Sequence, residues 1–183
     1  MMPYIIAIVV VVVLLVIWVI SVQRSLAVLD ENINNAMSQI GVQLSSRFDA
    51  LTALLDLTKG YAEHEYKTIS DVIKERRSIV SSSTPSEVEA QENIITDAMS
   101  RIMAIAENYP DLKANQQYAI TMDSVNKYET AVRQSRLVYN DCVTKLNRKI
   151  RMFPASLIAG MVGFKSRDYL EAVNGKEDMP SMK

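Results

Sequence analysis

Apolar side chains run unbroken through residues 5–20, and no formally charged side chain occurs before Arg24. A hydrocarbon core of about 30 Å takes roughly 20 residues of helix, and residues 3–22 supply that length. A cleaved secretory signal would show a basic leader, a shorter apolar run and a small-x-small cleavage site. None of these stands before Arg24, so the pattern predicts an uncleaved membrane anchor over residues 1–24, with the lipid bilayer as partner of residues 3–22.

Beyond Arg24 the pattern changes period. Leu26, Leu29, Ile33, Met37, Ile40, Leu44, Phe48, Leu51, Leu55, Thr58, Tyr61, Ile69, Val72, Ile73 and Val80 recur at spacings of mostly three and four, which describes a helix stripe and not a strand. No proline falls between residues 22 and 80, and Gly41 and Gly60 are the glycines there. The anchor helix is therefore expected to continue without interruption through Val80, reaching on the order of 80 Å from the bilayer.

The run Ser81-Ser82-Ser83-Thr84-Pro85-Ser86 stops that helix and starts another, with Thr84 as N-cap, Pro85 at the first helical position and Glu87 close behind. Its stripe is Val88, Ile94, Ile95, Ala98, Met99, Ile102, Ile105 and Ala106, and it ends before Pro110, which disfavours helix at Tyr109. A third helix is expected from about Asp111, its N-cap, with Tyr118, Met122, Val125, Tyr128, Val132, Tyr139, Cys142, Val143, Leu146 and Ile150 on one face, ending before Pro154.

The expected fold is all-α. A single N-terminal transmembrane helix continues into a long antiparallel three-helix, coiled-coil-like bundle over residues 25–152, followed by a short helical tail over 153–183. If the second helix returns toward the membrane and the third runs out past it, the tail lies far from the bilayer. Its apolar residues, Phe153, Leu157, Ile158 and Phe164 among them, then either cap the bundle or stand as a patch for a neighbouring subunit or partner. Re-entry of twelve residues into the bilayer is disfavoured on that geometry.

Composition narrows the function. Five glycines and five prolines in 183 residues suit helices, and 20 basic against 21 acidic residues give no concentrated positive field for nucleic acid. One cysteine, Cys142, excludes an internal disulfide. One histidine, His64, lies between Glu63 and Glu65 but has no second histidine to complete a zinc site. Carboxylates such as Glu107, Asp111 and Glu129 lack the Glu-x-x-His pattern of di-metal bundles. Gly160 to Gly163 follows no strand and forms no phosphate loop. No catalytic residue, cofactor, metal or small-molecule substrate is expected. Arg47 and Arg136 lie near the seam positions, where a guanidinium can tie two helices through a carboxylate.

Several stretches resemble the LemA family of bacterial membrane proteins. Ser38-Gln39-Ile40-Gly41-Val42-Gln43-Leu44, Arg47-Phe48-Asp49 and Lys59-Gly60-Tyr61-Ala62-Glu63-His64-Glu65 are similar to its first long helix. Glu107-Asn108-Tyr109-Pro110-Asp111-Leu112-Lys113-Ala114-Asn115 resembles its most distinctive turn. Tyr139-Asn140-Asp141, Asn147, Phe153-Pro154 and Gly163-Phe164 resemble its third helix and tail. Where the family usually carries Ile-Pro-Asn-Leu, this chain reads Leu51-Thr52-Ala53-Leu54, which removes a helix breaker.

The resemblance implies a single-pass protein of the bacterial inner membrane with no established enzymatic activity; Arg24, the one basic residue flanking the anchor, favours a cytoplasmic bundle, and the lipoprotein-like relatives outweigh that single charge in favour of the extracytoplasmic side. The expectation is a non-enzymatic scaffold that organises copies of itself or partner proteins at the envelope; the alternative is an adaptor for a membrane enzyme such as a protease or sensor. Tyr109, Pro110, Asp111, Lys113 and Asn115, on a polar corner, join Phe153, Leu157, Ile158 and Phe164 as candidate partner-binding residues.

Overall fold

The computed structural model describes residues 2–171, and all regular structure among them is helical. The tail beyond Glu171, expected to be polar, lies outside the described residues. In chain order the helices are α1 (Met2–Asp56), α2 (Glu63–Lys74), α3 (Pro85–Asn108), α4 (Pro110–Lys113), α5 (Gln116–Arg151) and α6 (Ala155–Val162).

At 55 residues, α1 is about 80 Å long. Its apolar first third is exposed as far as Ile17, while Leu26, Ile33, Met37, Ile40, Leu44, Phe48, Leu51 and Leu55 are buried. One unbroken helix thus carries a lipid-type surface at one end and a core-facing stripe at the other. Leu51-Thr52-Ala53-Leu54 is regular helix, as the absence of proline there implies.

The helix does not continue to Val80. It ends at Asp56, where a turn places the buried Thr58 hydroxyl on the Leu55 carbonyl at 2.7 Å, and the Tyr61 and Ala62 amides donate to the Thr58 carbonyl at 2.9 and 3.0 Å. An uninterrupted helix would project Ala62, Ile69, Val72 and Ile73 past the end of the bundle. Folding back buries Ile69 completely, worth roughly 1.5–3 kcal/mol. The helical bonds lost in the turn contribute only about 1 kcal/mol each, and the turn replaces several of them.

This reversal decides the direction of every later element. Descending along α1, Tyr66 donates to Asp56, Arg76 bonds Asp49 at 2.7 Å, and the Ile79 carbonyl lies over Gly41. The descending leg is therefore α2 with residues 75–84, and α3 climbs beside α1 in the same direction, away from the apolar end. Its capping box is complete: Thr84 Oγ1 accepts from the Glu87 amide while Glu87 accepts from the Thr84 amide. At its far end Tyr109 meets Tyr61, ring centroids 5.8 Å apart.

Asp111 is not the N-cap of the next long helix. It sits in the first turn of the four-residue α4, and Asn115 caps α5 by accepting from the Gln117 amide at 2.8 Å. The chain needs this extra turn to swing across the end of the bundle and bury Leu112.

From there α5 descends antiparallel to α1, pairing Glu129 with Arg47 and Lys149 with Ser25. The expected alternation of three helices is thus replaced by α1 and α3 running one way and α5 the other, with the short α2 leg between. The tail is consequently not far from the bilayer-type segment. It follows α5 to Ser25 and places α6 against α1.

Two glycines test this packing. A Cβ on Gly41 would lie 2.2 Å from the Ile79 carbonyl oxygen, whereas Gly60 has nothing within 4 Å. Gly41→Ala is expected to destabilise by about 1–3 kcal/mol despite alanine's better helix propensity. Gly60→Ala should be neutral or stabilise by up to about 1 kcal/mol, both read from unfolding midpoints in mild detergent.

The capping box predicts a pH effect. The Thr84 backbone amide and then its hydroxyl hold the Glu87 carboxyl below its ordinary range. A depressed folded pKa contributes stability above the unfolded value of about 4.3 that is lost as pH falls through the folded one. Stability of the parent should therefore fall between pH 5 and the folded value more steeply than that of Glu87→Gln, by chemical unfolding at stepped pH.

Candidate functional site

The expected partner-binding residues separate into two groups at opposite ends of the bundle. Ser25 and Asp56, which mark those ends on α1, are about 45 Å apart along the helix.

At the end distal to the apolar run, Tyr109, Pro110, Asp111, Lys113 and Asn115 form the polar corner. Leu112 anchors it in the core, Tyr109 leans on Tyr61, and Pro110, Asp111 and Lys113 face solvent. Asn115 is occupied as a helix cap. The corner is rigid below and polar above, a surface suited to recognition.

At the other end the tail residues divide. Ile158 is buried, Phe164 is half-buried against the core, and Phe153 and Leu157 are 80% and 60% exposed. Met161, not among the expected residues, is 83% exposed beside them. One face of α6 therefore caps the bundle while the other is bare.

Beyond α6 the chain turns back along α5 in an extended conformation and is tied down by side chains. Asn147 donates to the Arg167 carbonyl and accepts from the Arg167 amide, both at 2.9 Å, and Asn140 makes the same pair of bonds with Leu170, again at 2.9 Å. Seven helical residues advance about 10.5 Å and three extended residues about 10 Å, so the two repeats coincide. The amides of Asn140 and Asn147 stand in for a neighbouring strand. Tyr139 donates to the Asp168 carbonyl at 3.1 Å, and Arg167 ties the strap to Asp30 on α1 at 2.8 Å. Sequence reasoning marked Asn140 and Asn147 only by resemblance. Their seven-residue spacing on the core-facing side of a helix was the available signal.

The seam arginines are placed as their positions suggest. Arg47 reaches from α1 to Glu129 on α5 at 3.0 Å, and Arg136 reaches from α5 to Glu92 on α3, also donating to the Glu171 carbonyl. Burial pushes both guanidiniums down from their ordinary pKa; Glu129 opposes this for Arg47 and Glu89 for Arg136. Arginine keeps its proton in proteins, so the carboxylates are what make these charges tolerable inside. These pairs join three helices.

His64 lies exposed on α2, and Cys142 is half-buried rather than fully enclosed. Among the described residues no group of three His, Cys, Asp or Glu side chains is placed to hold a metal ion.

The arrangement can be set beside known proteins. The LemA family model matches residues 36–183. This chain belongs to the LemA family. Protein LemA of Metamycoplasma hominis is 29% identical over 135 residues, covering 71% of this chain and 60% of that protein. Magnetosome proteins MamQ 1 and MamQ 2 of Paramagnetospirillum magneticum are each 29% identical over 75 residues, 41% of this chain and 28% of theirs. The match thus spans less than two thirds of each of these curated relatives. Membership of the LemA family together with the exposed apolar run of α1 points to membrane association.

The Glu92–Arg136 pair yields a direct test. Glu92→Ala leaves a buried guanidinium without its carboxylate and is expected to cost about 3–5 kcal/mol, whereas the double change Glu92→Met with Arg136→Met should recover most of that loss. Guanidinium unfolding of the detergent-solubilised protein measures both.

Proposed function

We propose that this LemA-family protein is a non-enzymatic scaffold anchored in the bacterial inner membrane by residues 3–22 of α1. Its bundle stands on the extracytoplasmic side and organises copies of itself or partner proteins at the envelope. The observation that carries the reading is the continuity of α1: one helix is bare and apolar at one end and enclosed by the bundle at the other. Without a hinge between them, the anchor holds the bundle upright and presents the corner at residues 109–115 about 45 Å from the anchor. The side of the membrane follows from family resemblance alone.

A second reading, an adaptor for a membrane enzyme, draws on the same corner. An exposed polar turn locked by Leu112 and Asn115 is a suitable recognition edge for one partner.

The mass of the full-length protein in mild detergent, by light scattering with the micelle subtracted, separates these readings. The scaffold reading expects a discrete oligomer. A monomer that crosslinks through residues 109–115 to one stoichiometric enzyme supports the adaptor, and stoichiometric zinc or iron in the purified protein would overturn the non-enzymatic assignment.

A further inference from the structure

The bare face of α6 follows the end of α5, which lies level with the end of the apolar run of α1. Lys149 is level with Ser25, and α5 ends at Arg151, about half a turn further on. Yet Val22 is buried and Trp18 and Val19 are half-buried, one to two turns beyond Ser25 toward the apolar end. α6 packs on α1 and contributes Ile158 and Ala159 to the core, and as the element that follows α5 it is the one in position to cover those residues. It therefore stands beside the last ~10 Å of the apolar run.

Its outward side has no cover. Leu157 and Met161, four residues apart, share one helix face, with Phe153 just before the helix. No charged residue occurs from Met152 to Phe164. Immediately outside this interval the charges are basic: Arg148 and Arg151 before it and Lys165 after it are exposed, and Arg24 is exposed on α1 where its own apolar run ends. Four exposed cations so flank the two apolar segments in sequence.

We propose that α6 is an interfacial lipid-binding segment, with Phe153, Leu157 and Met161 seated in the leaflet that α1 enters and the four cations at the height of its anionic headgroups. The inference rests on the reading that α1 spans the membrane. Continuity names the occupant: the apolar face adjoins the exposed flank of the anchor at the same depth. Amphipathic helices of this kind sink about 5–10 Å into the headgroup and acyl boundary, matching the offset from Ser25 to Trp18. The cations are placed to attract anionic lipid. In the bilayer, α6 would brace the base of α1 and restrict the tilt of the bundle.

The test uses the full chain with Cys142→Ser, labelled with an environment-sensitive fluorophore at a single introduced cysteine. The sites are Val10→Cys, Leu157→Cys and Lys113→Cys, in vesicles of phosphatidylcholine and phosphatidylglycerol with or without brominated acyl chains. The expected result is blue-shifted emission, strongly quenched by bromine, at positions 10 and 157, with water-like, unquenched emission at 113. Quenching at 10 with water-like emission at 157 would overturn the lipid assignment while leaving the anchor intact; no quenching at 10 would instead sink the spanning reading. A blue shift at 157 that grows with protein-to-lipid ratio and ignores bromine would mean that a second copy covers the face, which also overturns the proposal. All three sites are exposed, so the labels disturb no packed contact.

Discussion

Antiparallel packing of α5 against α1 is the constraint from which the rest of the molecule follows. Beyond Arg24, α1 carries a stripe of large apolar side chains that no neighbouring turn of its own chain can cover, and α5 is the one later helix long enough to do so. The Arg47–Glu129 and Ser25–Lys149 pairs fix the register. Once α5 runs down α1, its end arrives where the apolar run of α1 gives way to the bundle, and α6 follows it there.

Two buried arginines at the seams illustrate how such a bundle is made specific. Interdigitated leucine and valine reward many registers almost equally, whereas a guanidinium sealed between helices tolerates only the register that supplies its carboxylate. Glu92 with Arg136 sets α3 against α5 just as Glu129 with Arg47 sets α5 against α1. The asparagines at 140 and 147 do the same for the strap, since their amides match the spacing of an extended chain in one alignment.

On the proposed scaffold reading, function in this architecture is positional. The described residues place a polar corner at one end and an apolar helix flanked in sequence by cations at the other, joined through one continuous rod. A scaffold needs that separation of a holding end from a presenting end. The comparison with LemA-family proteins agrees with the membrane half of this description.

Much of this was legible from residue order because it depends on local chemistry. A charge-free run declares a lipid-compatible helix, Thr84-Pro85 with Glu87 declares a helix start, and the stripes of α3 and α5 declare their buried faces. Arg47 and Arg136 were recognisable as ties because each occupies a position an apolar residue would otherwise fill. The break after Asp56 was not legible, since no proline marks it and its stabilisation comes from burying Ile69 against helices distant in sequence. That break reverses α3, and with it the fate of the tail. Local sequence thus determined that the chain is helical, where α3 starts and is capped, and which faces α3 and α5 hide. Tertiary structure alone decided their directions and brought α6 beside the anchor, because direction depends on the total surface buried by competing arrangements and no single stretch of chain encodes that sum.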